Sequence, residues 1–218
     1  MTLFAEVNAH RVIEARVFVP SFGRWIADVK LDGAVALAGK VTFTIADLSL
    51  VGTVVRGAPF QGAGAARLVA GFGGWAKQVS PKFYRHSSVG VKLSGVVGDL
   101  AREVGEKVSI PTDRAIGPSF TREGGPACRV LSQLAPAAWY VDADGTTRLS
   151  ARPAGKITGA FVAAAYDAAR GVLSVSTDTP AEWVPGRTVT IPTVGTKTIA
   201  IVTHVIRASE LRTEVLVA

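Results

Sequence analysis

The stretch Ile13-Glu14-Ala15-Arg16-Val17-Phe18-Val19-Pro20, continued through Ser21-Phe22-Gly23 into Arg24-Trp25-Ile26-Ala27-Asp28-Val29-Lys30-Leu31, decides the fold class. Ile13, Ala15, Val17 and Val19 fall on one side of an alternating pattern, Glu14 and Arg16 fall on the other, and Pro20 stops the run. Trp25, Ala27, Val29 and Leu31 then share a face against Arg24, Asp28 and Lys30, and Asp32-Gly33 closes the run. Two alternating runs joined by a short turn specify an antiparallel hairpin with one dry face. Working outward, Val41, Phe43 and Ile45 alternate with Thr42 and Thr44 in a third strand. Residues 50–55 are nearly continuous and β-branched, which predicts a fourth strand buried on both sides. Short strands at this spacing indicate a barrel or sandwich.

A glycine-rich region follows, with Gly57, Gly62, Gly64, Gly71, Gly73 and Gly74. Its Gly62-Ala63-Gly64 start lacks the third glycine of a dinucleotide fingerprint, and the glycines beside Phe72 and Trp75 are better explained by strand bends or close backbone approach. The period then changes. Val96, Val97, Leu100, Ala101 and Val104 recur at helical spacing, with Ser94 as the expected cap, Gly105 as the stop, and Arg102 and Glu106 on the polar face. A second helix follows Gly124-Gly125, with Pro126 suited to its first turn, Ala127, Val130, Leu131 and Leu134 as its apolar stripe and Pro136 as its end. Trp139-Tyr140-Val141-Asp142, an Asp144-Gly145 turn and 146–151 form a hairpin. Strands return at 161–166, 172–176, 188–191, 199–206 and 211–217, the last presenting Leu211, Thr213, Val215 and Val217 on one face. No fixed-period repeat is evident. The fold class is therefore β-rich α+β, two small antiparallel β-barrels with an intervening helix-helix-hairpin unit. The expected divisions are 1–80 (N-terminal barrel), 81–155 (α+β insert) and 156–218 (C-terminal barrel).

Composition narrows the function. Of 218 residues, 48% are hydrophobic and 19% charged, and the mean hydropathy is +0.32, so a real core forms and long disorder is excluded. The longest charge-free apolar window, 157–166, falls short of the ~18 residues of a membrane span. The N-terminus has no secretory-leader pattern. The surplus of apolar residues points to buried subunit contact. Cys128 is alone, so no disulfide framework or CxxC metal knuckle is expected, and assembly inside a cell is the default. The net charge of +7 is spread along the chain. One window between Asp47 and Asp99 is nevertheless acid-free and holds Arg56, Arg67, Lys77, Lys82, Arg85 and Lys92. Either it is a solvated face or it meets a polyanion or an acidic partner.

Catalytic constellations are missing from the sequence pattern. His10, His86 and His204 stand apart without metal-ligand company, and there is no GxSxG nucleophile elbow. Asp142 and Asp144 resemble a carboxylate pair, but Asp144 before Gly145 is a turn residue. No catalytic residue, cofactor or metal is expected. One alternative class remains, a single-stranded nucleic-acid-binding β-barrel. It would use Phe72, Trp75, Phe83 and Tyr84 interleaved with Lys77, Lys82 and Arg85.

Several segments together resemble a known family. They are Gly23-Arg24-Trp25, Gly71-Phe72-Gly73-Gly74-Trp75, Val96-Val97-Gly98-Asp99-Leu100-Ala101-Arg102-Glu103-Val104-Gly105, Val130-Leu131-Ser132-Gln133-Leu134-Ala135, the hairpin from Trp139 to Thr146, Pro185-Gly186 and Leu211-Arg212-Thr213-Glu214-Val215. In that order they resemble the baseplate hub proteins of phage tails, the late control D-like family related to the base of type VI secretion spikes. The resemblance implies a homotrimer whose two barrels per chain match a hexameric tail tube on one side and a trimeric central spike on the other. It also implies a tape-measure protein as a neighbour and DNA passing through the lumen without specific binding. The location implied is the virion tail, assembled in the host cytoplasm with no membrane. Arg67, Lys77, Lys82, Arg85 and Lys92 are the expected lumen or partner contacts. The chain is short for that family and has no recognisable lysozyme segment.

Overall fold

In the computed structural model, residues 5–60, 62–86, 88–192, 194–207 and 210–218 are described. Six strands open the chain: β1 (Ala5–Val7), β2 (His10–Val19), β3 (Ile26–Leu31), β4 (Lys40–Ile45), β5 (Leu48–Phe60) and β6 (Ala63–Ala70). Each pairs antiparallel with its neighbours in the order β1-β4-β5-β6-β3-β2, and β1 returns to β2, so the ring closes. The alternation read in the sequence becomes the inside and outside of this barrel. Val17, Ala27, Leu31, Phe43, Ile45 and Leu68 are wholly enclosed. Trp25 fills one end of the interior against Gly52, where a Cβ would lie 2.5 Å from the indole ring.

One expectation fails here, and one strand goes unread in the sequence. The fourth strand is not buried on both sides: β5 is a barrel wall with only its inner face covered, and Val55 is 59% exposed. The glycine-rich region also contains a full strand, β6. Its small residues sit where other backbone comes close, so that a Cβ on Gly64 would meet the Val35 carbonyl at 2.4 Å.

The middle third is built from short strand pairs and two helices. It comprises β7 (Gln78–Val79), β8 (Lys82–Arg85), β9 (Val91–Lys92), α1 (Leu93–Val104), β10 (Val108–Ser109), β11 (Ala115–Gly117), β12 (Ser119–Arg122), β13 (Gly125–Pro126), α2 (Ala127–Leu134), β14 (Tyr140–Val141) and β15 (Thr147–Arg148). Both helices bury the stripes their spacing dictates. Gly105 ends α1 in the left-handed region at φ 82°, as expected of a C-terminal glycine. Ser94 is not the cap. The helix starts one residue earlier, and the Ser94 amide and hydroxyl both donate to Asp113. The hairpin of β14 and β15 docks on the barrel through backbone bonds. Gly23 N–H donates to Trp139 C=O, Val141 N–H to Gly23 C=O, and Val51 N–H to Ala143 C=O.

The last third contains β16 (Gly155–Lys156), β17 (Phe161–Asp167), β18 (Val172–Thr177), β19 (Arg187–Ile191), β20 (Gly195–Arg207) and β21 (Glu210–Val217). Its strand order, β19-β20-β21-β18-β17, repeats the barrel's β4-β5-β6-β3-β2 strand for strand. Lengths match too. β5 and β20 have 13 residues each, β6 and β21 have 8, and β3 and β18 have 6. The expected second closed barrel is met only in part. Among the described residues β16 pairs β19 but not β17, so pairing closes one ring and leaves the C-terminal sheet open. The two halves join edge to edge, with residues 14–19 of β2 antiparallel to 202–207 of β20.

Candidate contact surfaces

The five cations singled out in the sequence are not gathered at one point. Arg67 lies on the outer wall of β6 and forms a two-pronged ion pair with Asp28 of β3, both N–O distances being 2.7 Å. That guanidinium, helped by Arg56 across the strand, holds the Asp28 carboxyl below its usual range. Lys77 donates to the Val104 carbonyl at the C-terminus of α1, 2.8 Å away, where a cation suits the helix dipole. Lys92 precedes the other end of the same 12-residue helix, about 18 Å away. Lys82 meets the mid-helix carboxylate of Asp99 at 2.5 Å and lies over the Tyr84 ring.

The acid-free window is thus answered in space by acids from outside it, Asp28 of β3 and Asp99 of α1. Asp99 also accepts from Tyr84 Oη at 2.8 Å. Burial and that bond push the Tyr84 phenol up to about 12, while Lys82 and Tyr84 together hold Asp99 down. Arg85 and Lys92 are the two of the five that make no ion pair or side-chain hydrogen bond among the described residues, Lys92 contributing only a long-range pull on Asp113. Arg85 and Lys92 are therefore the cations most available to a partner.

The aromatic platform required by the nucleic-acid alternative is not assembled. Trp75 is fully buried and donates from Nε1 to Thr147 Oγ1 at 2.7 Å. Phe83 is 63% exposed, whereas its β8 neighbour Tyr84 packs against the core. Phe72 sits between Lys40 and Lys107. The Asp142 and Asp144 pair is a turn clamp, with Arg148 bridging both carboxylates at 3.3 and 3.2 Å.

Sequence reasoning missed three polar latches, two of them buried and the third half-buried. Glu106 was expected on the polar face of α1, but the chain leaves the helix at Gly105 and turns the carboxylate inward, 8% exposed. There it accepts from the amides of Phe72 and Gly74. Arg122, only 1% exposed, binds the Ser80 carbonyl and pairs with Glu103 at 2.8 Å. Arg152 stacks its guanidinium 4.3 Å from the Tyr140 ring centroid and donates to the carbonyls of Pro20 and Ser21, tying the linker to the barrel. A buried arginine leaves no special mark in a sequence. Glu106 was findable only through the unusual run of glycines that faces it.

A cleft of about 750 Å3 lies where the three parts meet, lined by Trp25, Tyr140, Arg152, Trp183 and His204 among others. His204 Nδ1 shares a 2.9 Å hydrogen bond with Thr213, and full burial pulls the imidazole down to about 4. Because the unfolded chain binds that proton near 6.5, this residue's contribution to stability is full above pH 6.5 and is lost as pH falls towards 4. Acid unfolding followed by far-UV circular dichroism should show the loss across that window, and His204→Gln should flatten it. An unchanged acid profile in the variant would place the titration elsewhere. Among the described residues no group of three or more His, Cys, Asp or Glu side chains is placed to hold a metal.

No family model matches the sequence, and no curated protein matches it either. Solved structures do match. The tail protein of prophage MuSo2 from Shewanella oneidensis aligns over 100% of this chain and 97% of its own, with a TM-score of 0.68 and 10% identity. A tail protein from Neisseria meningitidis MC58 aligns over 100% and 96%, with a TM-score of 0.67 and 12% identity. An E. coli component of the type VI secretion system, itself described as similar to the T4 bacteriophage tail proteins gp27 and gp5, aligns over 98% and 76%, with a TM-score of 0.67 and 12% identity. At these identities the likeness is one of fold. The architecture is that of phage-tail and tail-like secretion proteins, as the sequence resemblance implied.

Proposed function

We propose that this chain is the structural hub of a phage tail or baseplate, a homotrimeric adapter between a hexameric tail tube and a trimeric central spike. The observation that carries the proposal is the recurrence of one strand order in both halves of the chain. A chain that presents the same arrangement twice becomes six quasi-equivalent units when three copies close a ring, and that satisfies sixfold and threefold neighbours together. The fold likeness to tail proteins supports the same role. On this reading residues 1–80 and 156–218 are the two tube-facing, barrel-like units and 81–155 is the insert between them. The protein works by shape, without an active site, in the virion tail after assembly in the host cytoplasm. The tape-measure protein and passing DNA are its lumenal neighbours.

Light scattering of the purified protein should give a mass of three chains, alone or with its tube protein. A single-chain mass under both conditions would overturn the proposal. Arg85 and Lys92 are the cations we assign to the lumen or the tube rim, because Lys77, Lys82 and Arg67 already have internal partners. Phage carrying Arg85→Glu with Lys92→Glu should lose infectivity while the protein remains folded. A normal titre would sink that assignment.

A further inference from the structure

The junction between the two halves implies a second junction that the single chain leaves unmade. Within the chain, β2 reaches β20 through residues 14–19 and 202–207, with Phe18 opposite Thr203 and Arg16 opposite Val205. Since β20 and β5 occupy the same place in the repeated order and share a length, 202–207 of β20 corresponds to 55–60 of β5. On the β4 side, pairing of β5 ends at Thr53, and one further bond joins Val54 N–H to Gly39 C=O. Beyond this the edge has no backbone partner among the described residues.

The counterpart of β2 is β17. Phe18 faces Ile26, the first residue of β3, as Asp167 faces Val172, the first residue of β18. β17 has β18 as its one partner among the described residues, so its other edge is open. This edge lacks the usual protections. From Phe161 to Tyr166 it carries no charge and no proline, and Val162 is 69% exposed. An unprotected apolar edge of this kind is normally covered.

We infer that residues 165–167 of one copy pair antiparallel with residues 56–58 of the next copy, repeating between chains the seam that β2 and β20 make within one. The occupant is a second copy because the missing partner of each edge is the other edge, supplied by the same sequence. Transferring the register places Asp167 opposite Arg56 and Ala165 opposite Ala58, so opposite charges meet across the seam. Pro59, which has no N–H, marks the outer limit of the ladder. Such a contact is heterologous, head to tail, and leaves no open edge once the ring closes. The inference rests on the trimeric reading above and adds the surfaces that build it.

The test uses the full chain with Cys128→Ser, so that only introduced thiols react. Ala58→Cys and Ala165→Cys are treated separately and mixed with a short bifunctional thiol cross-linker. Each variant alone should stay uncrosslinked, the mixture should give covalent dimers, and the doubly substituted chain should give species ending at three chains. In parallel, Arg56→Asp should reduce the mass to one chain, and Asp167→Arg in the same chain should restore it. A three-chain mass without cross-linking between the two sites would overturn the seam and leave the hub reading intact. Self-cross-linking of Ala165→Cys would overturn it in favour of a two-fold contact. A single-chain mass for the parent protein, alone and with the tube protein, would remove both.

Discussion

Trp75→Ala should destabilise the protein by about 4 kcal/mol, the cost typical of removing a fully buried tryptophan and leaving a cavity. The indole is completely enclosed, and its Nε1–H is bonded to Thr147 Oγ1, which is itself inaccessible. Trp75 thus joins the turn that leaves the barrel to the hairpin of the insert, two segments distant in sequence. Trp75→Phe should cost less, about 2 kcal/mol, because the ring volume is largely kept while the threonine hydroxyl loses its donor. Urea unfolding checks both, and the variants should move the midpoint with little change in slope. The result also separates function classes. If Trp75 were a stacking platform for single strands, Trp75→Ala would leave the midpoint in place and abolish binding.

Sequence reading recovered what local periodicity encodes. The stripe from Val96 to Val104 and the glycine after it determined α1, and Asp144-Gly145 determined the hairpin, where Gly145 adopts φ 82°. Alternation in 13–19 and 25–31 located β2 and β3 because one face of each is dry. What remained hidden depends on distant neighbours. β6 begins Ala63-Gly64-Ala65-Ala66, residues too small to show an inside and an outside, and their smallness answers a carbonyl of Val35 that no local rule anticipates. The duplication was legible in the order of element types, from which two barrels were expected, but not as a repeat of residues, for a related reason. It is conserved in which strand lies beside which, and many sequences satisfy that order. Glu106 was misplaced because helical spacing was extended one residue past a left-handed glycine, beyond which the helix angle no longer applies.

The candidate cations show the same limit. An acid-free window is acid-free only along the chain, and folding brings Asp99 of α1 to Lys82 and Asp28 of β3 to Arg67. Charge counted by segment therefore overstated the free positive surface, which contracts to Arg56, Arg85 and Lys92. The apolar surplus was the better guide, since it persists on the surface at Val55 and Val162, on the two edges we pair between copies.

Glu106→Ala should cost about 3 kcal/mol, because it strips the acceptor from two backbone amides that have no water to turn to. The carboxylate lies in a cup made by Gly71-Phe72-Gly73-Gly74, accepting from Phe72 N–H at 3.1 Å and Gly74 N–H at 2.6 Å. Any side chain at Gly74 would strike it, with a Cβ 2.8 Å from Glu106 Cγ and 2.4 Å from the Val104 carbonyl. The glycine run is thus a nest of backbone donors, occupied by the chain's own anion. Burial still outweighs those bonds and raises the carboxyl above its usual 4.5. The folded state therefore holds the Glu106 proton at a pH where the unfolded chain has released it. The stability from this group is full below 4.5 and is lost as pH rises through the folded value, the reverse of His204. Comparing wild type with Glu106→Gln at each pH cancels the histidine contribution, which both proteins share. The stability gap between them should narrow as pH rises above 4.5. A gap that widens instead would mean that the amide bonds prevail over burial and that the carboxyl titrates below its usual range.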